Sequence, residues 1–286
     1  MAIEEPSDRS PPMGCAMGAS RSARLNRYHW RGGVAVLFGL FVARNATAAP
    51  IVVDLPIGGG VTERVLYLAP DNANVALIML PGGDGIINLG PDGKIGRGGN
   101  FLIRTRAKWL EQGAAVLIPD APSDGAALFG RRLTPFYAQA VRAIVDFVHS
   151  RTHAPVWLVG TSQGTNAAVN AAAAMSHGEI AGVVLTSTLT RPGGKPEFKE
   201  TVYGANLAAI NVPVLIASHV DDGCNLSPPG ENAPLKARLT GAPRSEIVTF
   251  SGGLPARSQP CEAFAPHGFY GIEDQVIARI LAWIRA

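Results

Sequence analysis

Between an apolar run ending at Val159 and an alanine-rich stretch beginning at Thr165 stands Gly160-Thr161-Ser162-Gln163-Gly164, a G-x-S-x-G pattern. A nucleophilic serine needs a tight strand-to-helix turn whose strained backbone leaves no room for side chains two residues either side, hence the glycines. In a chain with 33 glycines the bare pattern is weak evidence. Its setting between a strand and a small-residue helix gives it weight, the bland alternative being a serine in an ordinary βα turn. The hydroxyl also needs a base to take its proton. His149 and His153 flank the end of a helical pattern and His177 follows the alanine-rich stretch, so these read as solvated or capping residues. His267, in Ala265-Pro266-His267-Gly268-Phe269, lies between the last apolar run and the last helical pattern, where a loop can reach Ser162. A carboxylate must then fix the imidazole tautomer. The run from Val214 ends in His219-Val220-Asp221-Asp222-Gly223-Cys224. Asp222, which precedes a glycine and ends that turn, is the choice for this role. Asp221 is the alternative, otherwise pointing away or bonding backbone amides. His219 precedes the acids and reads as structural.

Positioning these groups requires a scaffold, and from Ala49 onward short apolar runs alternate with helical patterns. Eight candidate strands are predicted: Ile51 to Leu55, Val61 to Leu68, Val75 to Leu80, Ala115 to Ile118, Val156 to Val159, Val183 to Thr186, Val214 to Ala217 and Ile247 to Phe250. The last six are nearly continuous Val, Ile and Leu, as expected of parallel strands covered on both faces. The first two alternate (Val61, Glu63, Val65, Tyr67) and suit antiparallel edge strands. Helical spacing recurs at Ile103, Ala107 and Leu110, at Tyr137, Val141, Ile144 and Val148, and at Val276, Ile277, Ile280, Leu281 and Ile284. Such alternation predicts a mostly parallel sheet with helices on both faces, and functional groups in such a sheet collect at the carboxyl ends of its strands. No Pro/Ser-rich linker interrupts the pattern, so residues 49–286 read as one domain.

Eight strands, the elbow GTSQG, an acid after the penultimate strand and HGF before the final helix resemble the α/β-hydrolase superfamily, in its chain order Ser, Asp, His. The resemblance covers essentially all of 49–286. It implies a serine hydrolase in which Ser162 attacks an acyl carbon, His267 shuttles the proton and Asp222 orients it. It further implies an oxyanion hole of two backbone N–H groups. One is that of Gln163; the other comes from the loop Leu80-Pro81-Gly82-Gly83-Asp84-Gly85 and is placed at Gly83. Many members carry a His-Gly pair there; here Pro81 replaces the histidine, and it has no N–H to donate. Asp84 is unusual beside a developing anion and is expected to point outward or bond the loop's own amides. A cap is often inserted after the sixth strand, but the stretch from Thr186 to Asn211 is too short for a large one. The loops Gly85 to Asn100 and Gly125 to Arg132 are candidates to rim the pocket, with Phe129 and Phe136 as apolar contributors.

The formal net charge of +3 is unevenly placed: six arginines and three acids lie ahead of Pro50, leaving 19 basic and 19 acidic residues beyond it. Nucleic-acid binding by bulk charge therefore has no support in the main domain. The basic segment carries an uncharged run, Gly32 to Ala43, behind Arg21, Arg24, Arg27 and Arg31 and ahead of Ala46-Thr47-Ala48, the layout of a secretory signal peptide. A membrane anchor is the competing reading, but a run of this length spans about 18 Å as a helix against roughly 30 Å of hydrocarbon. Residues 1–48 are thus expected to be an export signal, the rest being periplasmic or secreted without a stable membrane anchor. Beyond it stand two cysteines, Cys224 and Cys261, which in an oxidising compartment read as a disulfide, two unrelated buried thiols being the alternative. Bridged, they would tie the acid loop to the histidine loop.

No G-x-x-x-x-G-K-[ST], no suitably placed G-x-G-x-x-G and no H-E-x-x-H occurs, so neither a cofactor nor a metal is expected. The expected activity is hydrolysis of carboxylic esters, small or polymeric. Amidase, thioesterase or acyltransferase action are variants of the same acyl-enzyme chemistry. A non-catalytic binding or accessory protein on the same fold is the alternative from a different class. The sequence leaves the acyl and alcohol parts of the substrate, and the oligomeric state, undetermined.

Overall fold

The computed structural model describes residues 49–176 and 178–286. The expected signal peptide, 1–48, lies outside the described residues, as does His177. Eight strands build one sheet: β1 (Ile51–Gly58), β2 (Val61–Leu68), β3 (Val75–Leu80), β4 (Ala114–Pro122), β5 (Val156–Thr161), β6 (Gly182–Thr186), β7 (Val214–His219) and β8 (Ser245–Phe250). Their order is β1-β2-β4-β3-β5-β6-β7-β8. β2 is antiparallel to both β1 and β4, while the pairs from β4 through β8 are all parallel. The expectation of two edge strands needs adjusting. β1 is the edge, and β2 lies one strand inside it. β8, predicted as a strand covered on both faces, is the opposite edge, and only its Phe250 is fully buried.

The continuous apolar runs are explained by two cores, one on each face. Along β3, Ala76, Ile78 and Leu80 enter one core with Tyr137, Val141, Ile144 and Val148 of helix α3 (Pro135–His149). Val75, Leu77 and Met79 enter the other, packing with Val276, Ile277, Ile280 and Leu281 of the C-terminal helix (Glu273–Ile284). α3 starts as its sequence dictates, with Pro135 in the first turn and Thr134 Oγ1 accepting the Tyr137 N–H at 3.2 Å. α4 (Gly164–Ala174) is built of small residues because it lies directly on the sheet: a Cβ on Gly164 would stand 2.0 Å from the Leu80 carbonyl oxygen.

The helix predicted around Ile103, Ala107 and Leu110 is two short ones, α1 (Phe101–Arg104) and α2 (Arg106–Glu111). At the break, Thr105 Oγ1 donates to the Phe101 carbonyl at 2.6 Å and accepts from Trp109 Nε1 at 3.0 Å. A threonine bonding its own preceding turn competes with the helical ladder. The buried face consequently runs through Phe101, Leu102, Ile103 and Trp109, and Ala107 is exposed. α5 (Asn232–Ala237), which the pattern did not suggest, precedes β8, and the C-terminal helix is α6. Between β6 and β7 the chain makes only three single-turn 3₁₀ helices, so among the described residues no large cap is inserted there.

Candidate active site

β5 leads straight into α4, and the turn between them holds Ser162 at φ +52°, a left-handed conformation that costs a non-glycine residue energy and lifts its side chain off the strand. The crossing is too tight for side chains at its ends, as a Cβ on Gly160 would meet the Gly164 carbonyl oxygen at 2.6 Å. A hydrogen bond from the Ser162 N–H to the Thr186 carbonyl at 3.0 Å ties the turn to β6. Gly82, on the loop after β3, comes so near that its Cβ would be 3.0 Å from that of Ser162.

Asp222 and His267 are brought together. Asp222 Oδ2 lies 2.9 Å from His267 Nδ1, with the Asp222 side chain fully buried. The other carboxylate oxygen accepts the Cys224 N–H at 2.9 Å. Ser227, absent from the sequence reading, completes the cluster: its hydroxyl donates to Asp222 Oδ2 at 3.1 Å and lies 3.0 Å from His267 Nδ1. With acceptors on that side, Nδ1 carries the imidazole proton and Nε2 presents a lone pair. Nε2 is buried and has no hydrogen-bond partner among the described residues. Asp221 is turned away, its side chain 76% exposed, and its N–H donates to His219 Nδ1 at 3.0 Å. His219 Nε2 in turn donates to the Gly252 carbonyl at 2.9 Å, so this histidine is consumed in holding the turn. His149 and His153 are exposed and distant from the cluster, with His149 Nε2 on the Glu179 carbonyl.

The His267 loop is fastened from several sides. Ser187 Oγ donates to the His267 carbonyl at 2.6 Å, and Arg104 Nη2 to that of Gly268 at 2.6 Å while also pairing with Glu273 at 2.9 Å. Phe269, at φ +57°, turns its ring onto Phe101 and Phe250. The Cys224–Cys261 disulfide, with its Cα atoms 4.5 Å apart, joins the Asp222 loop to the His267 loop.

On the opposite side, the N–H groups of Gly83 and Gln163 have no protein acceptor among the described residues. Gly83 has φ +63°, a conformation its residue type adopts at little cost. Asp84 bonds its own loop, Oδ1 accepting the Ile86 N–H at 3.1 Å, and its other oxygen pairs with Arg97 at 2.7 Å. Beneath this loop, wholly buried Arg132 donates to the Pro81 carbonyl at 3.2 Å, and burial pulls its guanidinium down to about 10. Nearby Glu63, equally buried, accepts from the Tyr137 hydroxyl at 3.1 Å; desolvation pushes its carboxyl up to about 8. Nothing in the sequence marked Ser227, Ser187, Arg104 or Arg132. Each is a single polar residue without periodic spacing; only Glu63 carried a signal, as a charge on the apolar register of β2.

Ser162 opens between two hollows. One, of about 340 Å³, is lined by His267, Gly82, Asn100 and Phe101; the other, of about 640 Å³, is lined by Gln163, Phe129, Leu189 and Phe198. Of the two aromatic candidates for the rim, Phe129 is there and Phe136 packs against the main core. Such a constellation can deprotonate a serine, hold a negative oxygen on two backbone N–H groups and pass a proton onward.

No protein-family model and no curated protein matches the chain. Solved structures do resemble it. An esterase of Pyrococcus furiosus superposes with a TM-score of 0.60 at 13% identity, over 83% of this chain and 90% of that one. A dienelactone hydrolase from Anabaena variabilis gives 0.56 at 16%, over 82% and 94%. An esterase from Exiguobacterium antarcticum gives 0.52 at 12%, over 83% and 100%. At such identities the likeness is one of fold: the eight-stranded sheet with its flanking helices is the α/β-hydrolase fold.

Proposed function

We propose that this chain, with its α/β-hydrolase fold, is a serine hydrolase that cleaves carboxylic esters through an acyl-enzyme. The observation that carries the reading is the convergence of three separate strand ends: Ser162 at φ +52°, and a buried Asp222–His267 pair at 2.9 Å that leaves Nε2 bare beside the same cleft. Esterases among the solved structures of this fold lend the ester chemistry further support.

In this mechanism Nε2 takes the Ser162 hydroxyl proton as Oγ bonds to the ester carbonyl carbon. The carbonyl oxygen becomes an oxyanion held by the N–H groups of Gln163 and Gly83; removal of one such donor typically costs about two to three decades in rate. Asp222 stabilises the imidazolium. The carbon–oxygen bond to the alcohol then breaks, the alcohol leaving with the proton from Nε2. Water, deprotonated by the same nitrogen, attacks the acyl carbon, and its proton returns to Ser162 as the acid departs. Ser162 and His267 share no hydrogen bond in the free protein; such contacts often tighten only when substrate binds. The Asp84–Arg97 pair keeps a bare carboxylate away from the oxyanion.

An exported location belongs to the same proposal. A disulfide persists in oxidising compartments, and among the described residues no helix is long and apolar enough to cross a membrane. The partner is an ester substrate, not nucleic acid.

The test is labelling by a fluorophosphonate, with turnover of p-nitrophenyl acetate. The wild type should label on Ser162 and turn over; Ser162→Ala should do neither. No labelling and no turnover in the oxidised protein would overturn the proposal.

A further inference from the structure

We propose, on the strength of the serine-hydrolase reading, that the larger hollow is the acyl site and takes uncharged apolar acyl groups, while the alcohol occupies the smaller one. The two hollows meet at Ser162 and share the wall formed by Gly83, Asp84, Arg97, Cys261 and Glu262. They differ in two groups of the machinery: His267 lines only the smaller, and Gln163 only the larger. The leaving oxygen must receive its proton from His267 Nε2, so the alcohol's substituent extends along the His267 side. The acyl carbon's remaining substituent is directed to the side without it, into the larger hollow.

That hollow has the lining an apolar acyl chain requires. Phe129 and Phe198 meet edge to face with centroids 5.7 Å apart, and Leu189 and Leu226 continue the surface. Its charged members are two bases, Arg97 and Lys195, against two acids, Asp84 and Glu262, so an anionic acyl group finds no net attraction. The wall is built in advance. The N–H groups of Thr190 and Arg191 both donate to the Leu226 carbonyl, at 3.0 and 2.9 Å, and that of Gly193 to the Phe198 carbonyl at 2.6 Å. A 2.7 Å ion pair from Arg191 to Glu231 anchors the same segment to the acid side.

Transfer of each methylene into such a pocket is worth up to about fourfold in kcat/KM. The experiment compares p-nitrophenyl acetate, butanoate, hexanoate, benzoate and hemisuccinate, which share a leaving group. A second series of acetates varies the alcohol from methyl to benzyl. Fluorophosphonate labelling of every sample reports whether Ser162 is active. For the wild type, kcat/KM should rise at least roughly tenfold from acetate to hexanoate. The hemisuccinate should trail the butanoate.

Two variants locate the effect. Phe198→Ala removes one half of the aromatic pair, and Gly194→Leu adds apolar bulk at a lining position where a Cβ meets no atom within 4 Å. Both should lower the hexanoate-to-acetate ratio about fivefold or more while leaving the ratios among alcohols in place. A labelled, active enzyme with a flat acyl profile would overturn the acyl assignment alone. So would variants that shift the alcohol preference instead, which would exchange the two hollows. Absence of both labelling and turnover would overturn the hydrolase reading, and this inference with it.

Discussion

At Asp222 a single buried side chain accepts from three groups, the Cys224 N–H, the Ser227 hydroxyl and His267 Nδ1. An acceptor-only carboxylate suits all three; an amide does not, because its NH₂ would face at least one donor. Asp222→Asn is therefore expected to keep the fold and lose as much as about four decades in kcat, through the wrong imidazole tautomer. Asp221→Asn changes a solvated side chain whose backbone N–H, not its carboxylate, serves the turn. Its kcat should stay within about twofold of the parent, surface substitutions of this kind having small effects. Burst and steady-state kinetics on the two variants check the pair, and equal losses would remove Asp222 from its assigned role. Asp221 and Asp222 could not be separated with certainty from sequence. Both follow the same strand, and the deciding fact, which of them meets His267, depends on a contact 45 residues away in the chain.

Elements place these groups, and the disulfide is where two of them are joined. Cys224 and Cys261, 37 residues apart, link the loop after β7 to the loop before α6. Cys261 also walls both hollows, and Cys224 the larger one. The sheet and both cores lie elsewhere, held by β3 to β7 and their helices. The Cys224→Ser, Cys261→Ser double variant should therefore retain its far-UV circular dichroism at 25 °C yet lose kcat, by loosening the Asp222–His267 geometry. Its midpoint in urea should fall as well, since a bridge across this separation constrains the unfolded chain by up to about 4 kcal/mol. Unchanged turnover in the variant would show that hydrogen bonds alone hold the two loops. Elements were also the most legible level of this molecule. β3 to β7 could be read because strands covered on both faces are written as unbroken apolar runs, and α3 because Tyr137, Val141, Ile144 and Val148 recur at helical spacing. The α1–α2 break was hidden because it depends on the hydroxyl of Thr105 bonding backward and on Trp109 reaching it. α5 was hidden because six residues carry too little periodicity.

Across the whole molecule, the site is assembled from loops that only a finished sheet brings together, so its chemistry depends on stability, and one buried acid makes that stability depend on pH. Glu63 on β2 sits on the face covered by α3, against the Tyr137 hydroxyl, with Asp120 and the guanidinium groups of Arg131 and Arg132 acting on it through the surrounding field. Desolvation dominates and pushes its carboxyl from 4.5 to about 8. A group with a raised value in the fold binds its proton more tightly there than in the unfolded chain. Its favourable contribution is fully present below pH 4.5 and declines as the pH climbs through about 8. At about 1.4 kcal/mol per unit, the loss is on the order of 3 kcal/mol by pH 7, a sizeable part of a typical domain's stability. Glu63→Gln preserves the shape and the neutral state while removing the proton equilibrium. The variant and the parent should therefore be equally stable near pH 4.5 and diverge in favour of the variant as the pH rises to 8, in urea titrations at fixed temperature. A stability difference between the two proteins that does not change between pH 4.5 and 8 would show that Glu63 keeps an ordinary carboxyl equilibrium in the fold, and would remove this source of pH-dependent stability.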